Sequence, residues 1–494
     1  MAPMSSQRPH SLAPRATVAA GLSAALLVLL APRQESPDPT SPDAVPAALA
    51  TEIEAMGPTL DAIVDEALRS SATYHRLARL VEAAPHRLSG SPGAAAAVEW
   101  ARLEMEAIGF DEVRLEPCLV PRWVRGDIEH LSYSAPSHLA GRPLDILALG
   151  GSIPTPVGGI EGEVVRVTTI SEMADRKDEL KGKIVLLDRP FDATERNNFA
   201  AYGRAVGART QGAINAAKAG ALAVVVRSMA SVIDDQPHTG AMRYDPRVPK
   251  IPACAVSTRG AEELAAALER GPVRLNLELN CENHEPVRSY NVVGDYYGRE
   301  LPDEIVVVGG HLDGWDVGQG AHDDGAGCAH TLEPVRIFEE LGIRPRRTVR
   351  CVMFMNEENG LEGARAYAAT HAGEMDQHVM ALESDSGGYT PRGFTCNAND
   401  PALAILRKVA LHFADETADK VDGGGAGADI SQMAPYGVPL VGFRPDDERY
   451  FSYHHTHGDT LDRVHPREIN MGAGVISALT WAIAELSEPL PRNL

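Results

Sequence analysis

The sequence predicts an α/β protein, with a mixed sheet covered by helices on both faces and a β-rich domain inserted into it. Three regions with different sequence patterns support this prediction. Residues 47–109 show helical periodicity, and residues 125–283 hold short β-rich runs separated by Gly, Pro and Asp. From Tyr290 onward, apolar strands alternate with amphipathic helices. Near-continuous apolar strands alternating with helices are typical of a sheet whose two faces are both buried.

The elements of the outer regions follow from their periodicity. In the first region we expect the helices Ile53–Leu68, Tyr74–Val81 and Ala94–Ile108, the last of which stops at Gly109. In the last region we expect the strands Ile305–Gly309, Thr348–Met355, His378–Glu383 and Pro439–Phe443, and the helices Pro401–Phe413 and Ile469–Leu486. Pro334 interrupts the helical segment Gly327–Glu340, so we expect that helix to begin late or to be kinked.

The middle region is predicted to be a separate unit. Its expected strands are Leu144–Leu149, Glu163–Val167, Lys183–Leu187 and Ala221–Val226, and its expected helices are Thr210–Lys218 and Gly260–Glu269. Residues 47–124 and 284–494 would then form one domain, interrupted by residues 125–283. A chain of 494 residues suits two or three domains of ordinary size.

The N-terminus differs from the rest of the chain. Arg8 and Arg15 precede an uncharged run rich in Ala and Leu, from Ala16 to Leu30. This is the pattern of a secretory signal, and the run is short against the roughly 20 residues of a membrane span. We therefore expect residues 1–31 to be a signal peptide and residues 32–46 a Pro-rich linker. The folded part would be secreted or periplasmic, without a stable membrane span; an uncleaved anchor helix is the alternative.

The acidic balance of the chain excludes one class of partner. Asp and Glu outnumber Lys and Arg by 68 to 46, which gives a formal net charge of −22. A nucleic-acid binder needs a basic stripe, and the sequence contains no Lys/Arg-rich run. Nucleic acid is therefore excluded as a partner.

The six cysteines do not form a recognisable framework. They are scattered and contain no CxxC pair, so the sequence favours neither a disulfide framework nor a cysteine zinc site. Cys328 and Cys351 lie in apolar surroundings and are expected to be buried free thiols. Cys254 with Cys281 is the one disulfide that we consider.

Potential metal ligands follow four successive strands of the last region. Ligands bind outside the carboxyl ends of the strands in open α/β sheets, so these side chains are expected to meet at one edge. His nitrogens and carboxylate oxygens are zinc ligands. The predicted ligands are His311, Asp323, Glu358, Asp385 and His455. Five ligands would over-supply one zinc ion, whereas two ions that share a carboxylate use them well. Asp323 is the natural bridge, because its loop leads into a helix.

The remaining acidic residues near these strands suggest further roles. Asp313 lies two residues beyond His311 and is expected to accept the other ring N–H of that histidine. Glu357 and Glu358 are adjacent and point apart, so one can ligate metal while the other takes a proton from the attacking water. Glu357 has no metal role in this scheme and is the predicted general base.

Four sequence motifs resemble those of the co-catalytic zinc aminopeptidases and glutamate carboxypeptidases. The resemblance runs from about Ala47 to the C-terminus. The motifs are GGHLDGWDVGQGAHDDGAG (Gly309–Gly327), NEENG (Asn356–Gly360), ESDSGG (Glu383–Gly388) and YHHTHGDT (Tyr453–Thr460). The segments GKIVLLDRP (Gly182–Pro190) and GAINAAKAGALAVVV (Gly212–Val226) resemble a protease-associated domain. The resemblance implies a zinc-exopeptidase fold, homodimers, and cleavage of dipeptides or short peptides that have a free N-terminus.

The resemblance also implies a role for each ligand. It places His311 and Asp385 on one zinc, Glu358 and His455 on the other, Asp323 as the bridge and Glu357 as the general base. His455 fits the family pattern of the loop, with His454 as the alternative and His322 expected at the rim of the pocket. Asp459 is expected either to support His455 or to cap a turn.

Substrate contacts are expected in the Gly-rich stretch 422–429. The backbone amides near Gly427 could receive a substrate carboxylate, with a plain surface loop as the alternative. Asp429 could hold a substrate ammonium or cap the helix that follows it. Two rival functions remain open: a mono-zinc enzyme such as a glutaminyl cyclase, and a non-catalytic binding protein on the same scaffold.

Overall fold

Two eight-stranded sheets form the framework of the protein, in a computed structural model that describes residues 45–493. The predicted signal peptide and nearly all of the predicted linker lie outside the described residues. Within residues 45–493, no helix has both the length and the apolar character needed to cross a membrane.

Thirteen α-helices are assigned between residues 45 and 493. They are α1 (Ala47–Arg69), α2 (Ala72–Ala83), α3 (Pro92–Ile108), α4 (Ile170–Asp175), α5 (Lys177–Leu180), α6 (Asn198–Ala205), α7 (Gly207–Lys218), α8 (Thr258–Arg270), α9 (Ala326–Leu341), α10 (Glu362–Thr370), α11 (Asp400–Ala410), α12 (Tyr450–Tyr453) and α13 (Pro466–Glu485). Short 3₁₀ helices cover Leu411–Phe413, Ile430–Tyr436 and Leu461–Arg463, and a π-type turn covers Ala321–Gly325.

The strands of the described region number sixteen. They are β1 (Glu112–Val124), β2 (Glu129–Ala135), β3 (Pro143–Leu144), β4 (Ile146–Ala148), β5 (Ile160–Val167), β6 (Ile184–Leu187), β7 (Ala223–Arg227), β8 (Ala253–Val256), β9 (Arg274–Leu279), β10 (Glu282–Tyr296), β11 (Leu301–His311), β12 (Arg347–Phe354), β13 (His378–Glu383), β14 (Pro391–Asn397), β15 (Val421–Gly423) and β16 (Leu440–Pro445).

The first sheet is mixed and has the strand order β1-β10-β12-β11-β13-β16-β14-β15. Its four central strands, β12, β11, β13 and β16, run parallel to one another. Alternate residues of β11 face opposite sides: Val306 and Val308 pack with α1, α9 and α13, whereas Val307 packs with α10. Helices therefore cover both faces, and the predicted fold class is confirmed.

The second sheet is built from residues 129–279, which lie inside the predicted insertion. Its order is β3-β2-β9-β5-β6-β7-β8-β4, with β5, β6, β7 and β8 parallel. Helices α4 to α8 lie within the same stretch of chain, so the insertion is more helical than its β-rich sequence texture indicates. The domain limits at residues 125 and 283 stay a prediction.

The loop after β11 packs into the hydrophobic core of the second sheet. Trp315 and Val317, which follow β11, are buried in the hydrophobic core of the second sheet. Gly150 lies directly against the Trp315 ring, and a β-carbon at that position would overlap the indole. The loop after β11 is therefore fixed to the second sheet by close packing.

Two local expectations are corrected. Helix α9 does not begin late: it starts at Ala326 and continues through Pro334 to Leu341, while the alternative of a kink at Pro334 stays a prediction. Most of α9 is buried, and this tertiary packing holds a helix that proline alone would interrupt. The six cysteines are all buried free thiols, which corrects the considered Cys254–Cys281 disulfide and confirms the expectation for Cys328 and Cys351.

Candidate active site

Three parallel strands and one loop deliver the predicted site residues to the same edge of the first sheet. His311 is the last residue of β11, Glu357 and Glu358 follow β12, and Asp385 lies two residues after β13. His455 comes from the loop after α12, beyond β16. Because these strands are parallel, their carboxyl ends meet, and the side chains converge in the crevice there.

The other four predicted ligands lie around Asp323. The Nε2 atom of His311 is 3.2 Å from Asp323 Oδ1 and 3.5 Å from Asp385 Oδ1. On the other side, His455 Nε2 is 3.3 Å from Asp323 Oδ2 and 3.0 Å from Glu358 Oε2. Asp323 thus faces one histidine with each of its carboxylate oxygens.

This donor set fits metal ions. His311, Asp323 and Asp385 offer ligand atoms that lie within 4.8 Å of one another, and Asp323 belongs to a second such group with His454 and His455. Asp323 Oδ2 and Glu358 Oε1 are buried and have no hydrogen-bond partner in the part of the chain that the structure describes. Buried carboxylate oxygens are costly unless they are paired or coordinate a metal, and imidazole with carboxylate is a zinc donor set.

The charges of these groups depend on one another. Burial disfavours the charged form of His311, but the neighbouring Asp385 and Asp323 carboxylates outweigh it and raise the His311 pKa. Burial likewise acts against ionised Asp323, but the hydrogen bond from His311 and the nearby His455 and His454 imidazoles prevail and hold its pKa well below the usual range. Burial and the Asp323 charge raise the pKa of Glu358 to about 7. The site favours added positive charge, which a divalent cation supplies.

Glu357 is half-buried next to the ligand cluster. Its side chain makes no hydrogen bond with any residue of the described range 45–493, which leaves both carboxylate oxygens free. Burial, reinforced by the charges of Asp385 and Glu358, raises the pKa of Glu357 well above its usual range. A carboxyl group with a raised pKa beside a metal site is suited to accept and return a proton.

Asp313 supports the site in two ways. Its main-chain carbonyl is 3.1 Å from His311 Nδ1, whereas its carboxylate is 3.8 Å from the same ring nitrogen. The Asp313 carboxylate instead accepts hydrogen bonds from the main-chain N–H groups of Asn356 and Glu357, at 2.7 and 3.0 Å. Asp313 therefore faces the histidine through its backbone and fixes the turn that carries Glu357 through its side chain.

The other histidines of these loops lie in three different environments. His454 is buried and stacks on His455, with ring centroids 3.5 Å apart and Nε2 3.6 Å from Asp323 Oδ2, so it remains the alternative ligand. His322 is buried and stacks on Tyr389 at 4.2 Å, so its expected place at the pocket rim is wrong. His457 is exposed.

The stretch around Gly427 binds a carboxylate of the protein itself. The main-chain N–H groups of Ala428 and Ile430 donate to the buried Glu383 carboxylate at 3.1 and 2.9 Å, and Gly427 packs directly against it. The amides at residues 428 and 430 are therefore not free for a substrate carboxylate. Asp429 makes no capping hydrogen bond, which excludes the cap alternative for its side chain.

Asp429 is a buried carboxylate without a partner. Both of its oxygens are fully buried and accept no hydrogen bond from residues 45–493. Burial, together with the nearby Glu383 and Glu357 charges, raises the pKa of Asp429 well above its usual range. A carboxylate of this kind is stabilised by any cation that reaches it.

A cleft of about 1270 Å³ leads to the ligand cluster. Asp385 and Ser386 line it, as does the stretch from Gly423 to Gly427, and α6 of the insertion supplies Phe199 to the same cleft. The cleft is thus formed by both parts of the chain, and the predicted metal ligand Asp385 is accessible from it.

Sequence reasoning missed several residues that hold the site. The buried Arg87 donates to the main-chain carbonyls of Leu312, Gln319 and Gly320 at 2.7–2.8 Å, which ties together the loops that bear His311 and Asp323. Arg87 belongs to the stretch HRLSG (residues 86–90), and nothing in that stretch alone indicates this role. Arg209 and Thr239 of the insertion contact His455, and nothing local in the sequence marks them.

Two family models match the chain. The model of Peptidase family M28 matches residues 291–480, and that of the PA domain matches residues 160–264. Carboxypeptidase Q of Mus musculus is 36% identical over 422 residues, which cover 85% of this chain and 87% of the mouse protein. The chain belongs to the carboxypeptidase Q group of peptidase family M28.

Solved structures agree with this M28 membership. The Peptidase M28 precursor from Shewanella amazonensis SB2B superimposes with a TM-score of 0.85 at 34% identity, over 90% of this chain and 99% of that protein. The zinc aminopeptidase BSAP from Bacillus subtilis shares the fold, with a TM-score of 0.62 at 20% identity over 86% of this chain and 97% of BSAP. The predicted family and enzyme class, a zinc metallopeptidase with an inserted protease-associated domain, are confirmed.

Proposed function

We propose that this M28 peptidase is an exported exopeptidase with two zinc ions per chain, which releases amino acids from dipeptides or short peptides that have a free N-terminus. One observation carries the proposal: Asp323 presents one carboxylate oxygen to His311 and the other to His455. A carboxylate between two histidine-containing donor groups is suited to bridge two cations.

The division of the ligands supports two sites rather than one. His311 and Asp385 would hold the first ion, Glu358 and His455 the second, and Asp323 both. His311 and His455 approach different oxygens of Asp323, so the two imidazoles lie on opposite sides of that carboxylate. When bound, the two ions would polarise the scissile carbonyl and lower the pKa of the attacking water.

Glu357 would move the proton. Its free carboxylate lies beside the ligand cluster, and its turn is fixed by Asp313. Glu357 would accept the proton of the attacking water and return it to the leaving amine, which keeps the proton count balanced.

Substrate would enter through the cleft lined by Asp385 and Gly427. Asp429 remains the proposed binding group for the substrate ammonium, because its two buried oxygens have no hydrogen-bond partner among residues 45–493. Gly427 would form part of the cleft wall and not the carboxylate receptor, since the neighbouring amides bind Glu383. The name of the relative carboxypeptidase Q supports action at a chain end.

Export, domain limits and assembly are parts of the same proposal. Export rests on the N-terminal signal pattern of residues 1–31. The insertion is proposed to span residues 125–283, and the peptidase domain residues 47–124 and 284–494. A homodimer rests on the family resemblance of the motifs alone.

The test pairs zinc content with turnover of a dipeptide library, on purified protein that starts at about Pro46. Two zinc ions per chain, with chelator-sensitive release of free amino acids, are the expected result. N-acetylated dipeptides of the same sequences serve as the matched control and should be poor substrates. Hydrolysis of both sets at equal rates would contradict the requirement for a free N-terminus.

The same measurement separates the rival functions. One zinc per chain would favour the mono-zinc enzyme, of which a glutaminyl cyclase is the example. Zinc binding without hydrolysis of any free-amine dipeptide would favour the binding protein. The complete set of five ligands argues against the mono-zinc enzyme, and the retention of Glu357 with those ligands argues against the binding protein.

A further inference from the structure

We infer that the inserted domain is part of the metal site: Thr239 and Arg209 orient His455, so the insertion controls affinity for the zinc ion on that side. This inference rests on the two-metal proposal. Both residues lie within residues 160–264, which match the PA domain. They are positioning residues, since they would act on the ion only through His455.

Thr239 holds His455 at two points. Its main-chain N–H donates to the His455 carbonyl at 3.0 Å, and its own carbonyl lies 3.3 Å from His455 Nδ1. A histidine that binds metal through Nε2 carries its proton on Nδ1, and that N–H needs an acceptor. The Thr239 carbonyl is the acceptor that the structure offers.

The backbone of His455 needs this support. Its φ is +63°, in the left-handed region that residues other than glycine rarely occupy. Such a conformation persists only where the surrounding structure holds it. The hydrogen bond from Thr239 N–H to the His455 carbonyl supplies that restraint from the other domain.

Arg209, on α7, fixes the Thr239 carbonyl in turn. Its Nη1 atom is 3.3 Å from that carbonyl oxygen and 3.3 Å from His455 Nδ1. Its Nη2 donates to the Tyr202 hydroxyl at 2.6 Å, and the Tyr202 ring stacks on Phe451 of α12. The guanidinium therefore connects the insertion to the helix that leads into His455.

Gly240 makes this arrangement possible. A β-carbon at Gly240 would overlap the Arg209 guanidinium, and the φ of +133° at Gly240 also disfavours a side chain. Gly240→Ala should therefore displace Arg209 without changing the arginine itself, which provides a second and independent variant.

The experiment compares Arg209→Gln and Gly240→Ala with Arg227→Gln. Arg227 is the matched control: a buried arginine of the same domain whose partners are Asp188 and Glu262. Zinc affinities are measured by competition with a chelator, and folding of the zinc-free proteins by circular dichroism. Removal of a group that orients a ligand typically weakens metal binding about 10–100-fold.

We expect Arg209→Gln to bind one zinc as the wild type does and the second at least about 10-fold more weakly. Arg227→Gln should bind both normally. Equal zinc affinities in Arg209→Gln and wild type, or equal weakening in Arg227→Gln, would overturn the inference. If Arg209→Gln does not fold, Gly240→Ala decides by the same criteria.

The zinc content of the wild type tests the two-metal proposal separately. A wild-type protein that binds fewer than two ions contradicts that proposal. The orienting role of Arg209 would still be judged by the difference between Arg209→Gln and Arg227→Gln for the ion that is bound. Equal affinity in those two variants would overturn it.

Discussion

The Asp459 carboxylate binds the main chain of Asp323. Its carboxylate accepts a hydrogen bond from the main-chain N–H of Asp323 at 3.0 Å, and its other oxygen accepts from that of His322 at 2.8 Å. Asp459 does not contact the His455 ring by any hydrogen bond found in residues 45–493. Of the two roles expected for Asp459, support of the His455 side chain is therefore replaced by support of the backbone at Asp323, the proposed bridging residue.

Replacement of Asp323 should empty both metal positions together. Asp323 faces both His311 and His455, so Asp323→Ala removes a ligand from each ion at once. We expect zinc content to fall from two ions to fewer than one, as measured by elemental analysis after dialysis. His457→Ala, which alters an exposed imidazole of the same loop as His455, should keep both ions. Loss of a single ion in Asp323→Ala would contradict the bridging role.

Replacement of Glu357 should separate metal binding from catalysis. Glu357→Gln keeps the size of the side chain but cannot accept a proton, so kcat should fall by at least about 10²-fold with both zinc ions retained. Glu362→Gln, at a surface ion pair with Arg365, is the control and should keep the full rate. A Glu357→Gln protein of normal activity would show that another group moves the proton.

Which parts of the site could be read from the sequence depends on how far apart the contacting residues are. His311, Glu358 and Asp385 each follow a predicted strand within a few residues, so strand order alone brings them to one edge. Arg209 and Thr239 lie 246 and 216 residues before His455, in another domain. No periodicity or motif relates residues that are paired only by the packing of two domains.

The same limit applies to the turn that follows Gly427. Free amides in a Gly-rich turn are typical of an anion site, and the site does hold a carboxylate. That carboxylate is Glu383, which lies 45 residues before Ala428 and at the end of the neighbouring β13. The local sequence indicated the chemistry of the turn correctly but could not show that the protein itself occupies it.

Replacement of Asp429 should weaken substrate binding and leave the metals in place. A hydrogen bond between charged groups contributes about 1.5–3 kcal/mol, so Asp429→Asn should raise KM for free-amine dipeptides by about 10-fold or more. Zinc content should stay at the wild-type value. The control is Asp422→Asn, which changes an exposed carboxylate that lines the same cleft. An unchanged KM in Asp429→Asn would exclude Asp429 as the ammonium site.

The zinc-free protein should become less stable as the pH is lowered, because of His378. This buried imidazole is 3.0 Å from the Glu374 carbonyl, to which Nδ1 can donate, and 2.9 Å from the Tyr367 hydroxyl, from which Nε2 can accept. Burial lowers the pKa of His378 to about 4, against about 6.5 for an unperturbed histidine. Between these values only the unfolded chain binds the proton, so acidification from about pH 6.5 to 4 favours unfolding.

The loss attributable to His378 is roughly 3 kcal/mol at most across this window, at about 1.4 kcal/mol per pKa unit. Denaturant unfolding at a series of pH values should show it, with zinc removed because metal binding is itself pH-dependent. His378→Asn keeps a donor for the Glu374 carbonyl but does not titrate, so its stability should fall less steeply below pH 6.5. His75→Asn, a substitution of an exposed histidine, is the control and should keep the wild-type slope. Equal slopes in His378→Asn and wild type would assign the acid sensitivity to other buried groups.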